Sequence, residues 1–184
     1  MKTIRLFLLL PLLMACSSED ANVSTSQVSL FVDHFKTTSI LSGTALVVQE
    51  NDAIGTSQYA KISGIVGFDF EPGYTYRLRA NKSLKKNAGT SAVIATYSLI
   101  GIDAKVRVGT KSDFRVPLST FVNGQGYVTF LRRRQDSTFI LGNEIVLDCD
   151  FLCADLNAAF ETRQLMTATF YHGEDDSYIM TELE

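Results

Sequence analysis

The chain has 184 residues, 46% of them hydrophobic and 20% charged, with a formal net charge of −3. That apolar content supports a buried core and excludes wholesale disorder. The mildly acidic balance excludes the basic field that nucleic-acid binding requires, and the length suits one ordinary domain or two small ones.

The chain opens with Lys2 and Arg5, an apolar run Leu6 to Leu13, then Met14, Ala15 and Cys16, and turns at once to Ser17, Ser18, Glu19 and Asp20. A bilayer-spanning helix takes about 20 apolar residues, so this run is too short, and Pro11 interrupts it. Ordinary secretory cleavage wants a small residue where Leu13 stands. Leu13-Met14-Ala15-Cys16 instead resembles a lipoprotein box, although Met14 is bulkier than the usual residue. The expectation is that residues 1–15 form a removed signal peptide and that Cys16 carries a thioether-linked diacylglycerol, usually with a third chain such as palmitate on its amine. Two or more chains make anchoring durable, so the membrane is the first expected partner. The serine-then-acidic stretch resembles the export signal of surface lipoproteins in the Bacteroidota. It implies an outer-membrane, lipid-anchored protein exposed at the cell surface, with the periplasmic face as the alternative.

Residues 16–27 carry little to bury and read as the lipidated cysteine plus a flexible tether. From Val28 the pattern is β: Val28 to Phe35 and Thr44 to Glu50 are rich in β-branched and aromatic residues. Tyr74 to Ala80 alternates apolar and polar residues with period two. Glu71-Pro72-Gly73 ahead of it predicts a tight turn joining a strand at Gly64 to Phe70 with the one at Tyr74 to Ala80. Asn81 to Ser91 reads as a loop. Ala92 to Ile100, Lys105 to Val108, Gly126 to Arg132 and Thr138 to Leu147 are further strands, and Pro117 confines its segment to a sheet edge or a loop. Leu152, Leu156, Ala159 and Phe160 recur at helical spacing, which predicts one short helix from about Asp150 to Thr162 capped by Asp148 or Asp150. Gln164 to His172 and Ser177 to Leu183 read as a hairpin around an acidic tip. The expected fold is mainly β, an antiparallel sandwich or barrel-like body: either continuous, or two β subdomains over 28–105 and 106–184 meeting near residues 104–116.

With Cys16 assigned to lipid, Cys149 and Cys153 remain as an even pair. An exported protein favours a disulfide, with two buried thiols or a metal site as alternatives. Within one regular helix the spacing suits a disulfide poorly; it becomes feasible where Cys149 ends a strand and Cys153 lies in the first helical turn.

The segment Ile65-Val66-Gly67-Phe68-Asp69-Phe70-Glu71-Pro72-Gly73-Tyr74, with the alternating strand after it, resembles the core motif of the domain of unknown function 4377 family. Leu46 to Glu50 before it and Tyr97 to Ile100 with Lys105 after it extend the likeness to about residues 44–105. The resemblance implies export, often by lipidation, and a small β-rich domain, and it implies no activity. Where that family often has a cysteine opening the first strand, this chain has Ala45, so no family disulfide transfers.

The chain has two histidines, His34 beside Asp33 and His172 ahead of an acidic turn, and no nucleophile elbow, zincin helix or phosphate loop. No cofactor or catalytic residue is expected. His172 with Glu174, Asp175 and Asp176 could supply ligands to a divalent cation, although a solvated hairpin tip whose charges oppose aggregation explains the acids more simply. Arg132-Arg133-Arg134 could grip an acidic group, and Tyr59, Tyr74, Tyr76 and Tyr97 could stack on a sugar, but exposed strand ends and sheet core explain them more simply. The expected role is a non-enzymatic binding or envelope-structural module with a protein or glycan partner. The alternatives are a small hydrolase or metal-dependent enzyme built on His172 and its acids, and an inhibitor-like protein contacting its target through Asn81 to Ser91.

Overall fold

The computed structural model describes residues 23–86 and 92–184. Cys16, the signal segment and the end of the expected 81–91 loop lie outside the described residues. Among the described residues no helix is long and apolar enough to cross a membrane.

The molecule is mainly β, with its sheets divided by sequence. The first body holds β1 (Val23–Ser39), β2 (Gly43–Glu50), β3 (Ala60–Ile62), β4 (Tyr74–Lys86) and β5 (Val93–Arg107) in the order β3-β2-β1-β4-β5. Beyond β3 the chain returns to β5, where Val66 bridges Ser98 in parallel and exchanges hydrogen bonds with Tyr97 and Leu99. The five strands thereby curl into a partly closed barrel. Alternation does the folding here: Val28, Leu30 and Val32 of β1 and Tyr76, Leu78 and Ala80 of β4 all face inward onto Leu46 and Val48 of β2. Gln49 seals the other face of β2, its side-chain amide bonding Thr56 O and Gly55 N.

The second body is a six-stranded sheet plus a separate hairpin. In chain order come β6 (Phe114–Pro117), the hairpin β7 (Ser119–Val122) and β8 (Gly126–Thr129), then β9 (Leu131–Arg133), β10 (Phe139–Leu141), β11 (Ile145–Asp148), the helix α1 (Cys153–Glu161), β12 (Thr167–His172) and β13 (Tyr178–Leu183). The sheet order is β6-β12-β13-β11-β10-β9, antiparallel except where β11 runs parallel to β13. Pro117 does end an edge strand, and the β12–β13 hairpin forms around residues 173–176. Leu156 and Ala159 turn α1 onto the sheet, completing a core of Phe114, Val116, Phe139, Leu147, Phe170 and Met180 among others.

Several expectations need correction. Gly64 to Phe70 is not a strand paired with β4: β4 lies between β1 and β5, and Gly67 at φ +79 breaks the segment after its single bridge. Phe68 and Phe70 are held by packing on Tyr76 rather than by a ladder. Residues 23–27, expected in the tether, are strand: β1 includes them and pairs them with Asn81 to Lys85. The same pairing makes Asn81 to Lys86 strand rather than loop. Phe130 separates β8 from β9, and Gly142 to Glu144 separates β10 from β11. Neither Asp148 nor Asp150 caps α1, whose capping position is Leu152; Asp148 instead accepts from the Asp150 amide in the turn before it.

Charge is divided as unevenly as the sheets. Residues 23–107 carry nine Lys and Arg against six Asp and Glu, whereas residues 108–184 carry six against twelve. The first body is therefore net basic and the second net acidic.

Candidate functional site

The two bodies are joined by β1. Its register slips between Val32 and Lys36, so that Asp33, His34 and Phe35 together face a single β2 residue. That bulge turns the end of β1 onto the second sheet. Phe35 stacks on Phe114 at 4.7 Å between centroids, and Tyr178 Oη accepts from the Lys36 amide at 2.8 Å. Thr38 Oγ1 donates to Pro117 O at 2.8 Å, and Lys36 Nζ pairs with Glu144 at 2.8 Å. Thr44 also bonds Glu144. Burial alone would raise the Glu144 carboxyl, but those two donors outweigh it and hold it below the usual carboxylate range. Burial pushes the Tyr178 phenol up, so it stays neutral at any physiological pH.

At this joint the structure brings together the two histidines, 138 residues apart in sequence: His34 Nδ1 and His172 Nε2 lie 2.8 Å apart. One ring must donate and the other accept, so both cannot carry a proton at the shared position. His172 Nδ1 is buried with no partner among the described residues. Burial, reinforced by the neighbouring His34, pushes the His172 imidazole down to about 4. Burial lowers His34 too, partly offset by the Asp33 carboxylate. Both rings are neutral at pH 7.

Beside His172 opens a cleft of about 600 Å³ between the bodies. The Glu71-to-Tyr74 turn supplies one wall, Arg107 to Lys111 the floor, and Tyr171 to Glu174 with Asp176 the other wall. The cleft thus holds both charge signs and two tyrosine edges, a lining suited to a polar ligand. It does not hold a wired nucleophile: no hydroxyl among the described residues hydrogen-bonds either imidazole, and a base near 4 is a poor proton acceptor at neutral pH.

The other expected site residues are scattered. Asp175 accepts from Ser177, and the described residues contain no group of three His, Cys, Asp or Glu placed to hold a metal, so His172, Glu174, Asp175 and Asp176 do not converge. Arg132 bonds Asn143 and Arg133 reaches Glu161. Tyr76 and Tyr97 are buried in the barrel, leaving Tyr59 exposed and Tyr74 half-covered beneath Lys105. Cys149 and Cys153 form a disulfide, Cα atoms 4.8 Å apart, with Cys149 just past β11 and Cys153 opening α1. The histidine pair itself has no sequence signature, since nothing local to either residue names the other.

No family model matches the chain, and neither does any curated protein or solved structure. The likeness of residues 44–105 to a family of exported domains therefore rests on its motif alone.

The joint makes stability depend on pH. The unfolded histidines titrate near 6.5, whereas folded His172 resists protonation until about 4. Between those values the unfolded chain binds more protons, so stability is full above pH 6.5, falls as pH drops, and levels off below about 4. With allowance for partial exposure, His172 contributes a loss on the order of 1 kcal/mol between pH 7 and 5. Urea midpoints at the two pH values measure it. His172→Gln should flatten the dependence, and an unchanged slope in that variant would refute the assignment.

Proposed function

We propose that this protein is an envelope lipoprotein: a β body held outside the cytoplasm by lipid on Cys16, acting as a non-enzymatic binding or structural module for a protein or glycan. The observation that carries the reading is the Lys2-to-Asp20 layout, with its apolar run ending at Cys16 and its immediate polar switch. The Cys149–Cys153 disulfide supports it, because such bonds persist in oxidising compartments. The first body is a five-stranded, partly closed barrel, an architecture that hosts many binding modules and specifies no one ligand. The hydrolase alternative draws on the cleft beside His172. It is disfavoured because the two imidazoles are engaged with each other and burial makes His172 a weak base, its pKa pushed down to about 4.

In the native host, Cys16→Ser should abolish incorporation of labelled palmitate and release the protein from the membrane fraction. Continued labelling of that variant defeats the reading.

A further inference from the structure

Three strand ends project beyond the barrel core. Residues 23–27 of β1 and 93–96 of β5 are exposed on both faces, and the end of β4 runs between them. Register puts Val23, Lys85 and Ile94 in one row across this tip, and sets Lys86 against Val93. Val23 and Ile94, on one face of the tip, are 47% and 49% exposed, and Val93, one residue along and so on the other face, is 52% exposed. Lys82, three residues further along β4 toward the core, is bound by Glu50, but no carboxylate among the described residues pairs with Lys85 or Lys86.

The tip is also where the described chain begins. Seven Cα steps separate Cys16 from Val23, so whatever path they take they span at most about 25 Å. A lipid on Cys16 therefore keeps this end of the molecule close to the bilayer. The net-basic body lies at that end, and the net-acidic body lies beyond it. Lysines flanking exposed aliphatic residues match an anionic interface, the charges meeting headgroups and the apolar tips entering the boundary region.

We propose that this three-strand tip, carrying Val23, Lys85, Lys86, Val93 and Ile94, is a membrane-apposed face that docks on an anionic lipid surface. The geometry rests on the anchoring reading above, but the contact itself does not require the acyl chains, so the two can fail separately. Both cores and every described sheet lie within residues 23–184, so a chain beginning at Ser17 keeps the whole described fold.

That chain is sedimented with vesicles of phosphatidylcholine containing about 30% phosphatidylglycerol, at salt low enough for a Debye length well above 10 Å. It should partition onto these vesicles and not onto pure phosphatidylcholine. Lys85→Gln with Lys86→Gln should lower the partition coefficient about thirtyfold, since each lysine near such a surface contributes about 1 kcal/mol. Val93→Ser with Ile94→Ser should weaken binding while preserving its salt dependence. Neutralising Arg132, Arg133 and Arg134, in the other body, should change nothing. The proposal is overturned by absence of binding to the anionic vesicles, by a lysine variant that binds like the parent, or by loss of binding in the arginine variant. Palmitate labelling reports on Cys16 independently.

Discussion

Phe114→Ala should cost about 3–5 kcal/mol of unfolding free energy, the range for truncating a buried aromatic ring. Phe114 is almost wholly buried, and its ring is the hub of the joint. It lies 4.7 Å from Phe35 of the first body, 4.7 Å from His172 and 4.7 Å from Tyr178, with His34 at 5.4 Å and Phe170 at 6.0 Å. Removing it opens a void between sheets that are held apart by their own ladders and cannot close over it. For a chain of this length the loss corresponds to a midpoint lowered by roughly 10 °C in thermal unfolding. Phe121→Ala is the control: that ring is 64% exposed on the β7–β8 hairpin and should change stability by no more than about 0.5 kcal/mol. Equal losses in the two variants would show that the joint is not packed as described.

Gly142→Ala should cost about 2–4 kcal/mol, through two separable effects. Gly142 has φ +69, a conformation that penalises an alanine by about 1 kcal/mol. A β-carbon there would also overlap Thr44 Cγ2 and come within 3.2 Å of Gly43 backbone in the opposing turn. Crowding of that kind adds about 1–3 kcal/mol. Gly55 isolates the first effect, since it has φ +87 and no atom lies within 4 Å of the position its β-carbon would take. Gly55→Ala should lose only about 1 kcal/mol. Urea unfolding of the pair reads the difference, and identical midpoints would show that the β1–β2 turn does not press on the 142 turn.

The sequence was legible where one face of an element met a core. Tyr74 to Ala80 alternates because Tyr76, Leu78 and Ala80 point into the barrel while Arg77 and Arg79 point out. Leu156 and Ala159 betray α1 for the same reason at helical period. Where both faces are wet the pattern vanishes, so Val23 to Gln27 and Asn81 to Lys85 read as tether and loop although they pair with each other. Phe68 and Phe70 misled in the opposite sense, being apolar residues that pack against Tyr76 without a ladder. The cysteine pair was readable because a spacing of four limits the backbone that can bridge it. The histidine pair and its cleft were not, because they arise from the bulge in β1 and the fold of the hairpin 138 residues later.

The continuity of β1 has a mechanical consequence. Its first residue lies at the end of the molecule from which the chain leads to Cys16, and its last residues are bolted to the second sheet by Lys36, Thr38 and Phe35. Tension applied at Val23 runs along the strand, perpendicular to the hydrogen bonds it shares with β2 and β4. Those bonds are then loaded together in shear instead of being unzipped one at a time. A pull along β1 would pass from one body to the other through that one strand, by way of its bulge at residues 33–35.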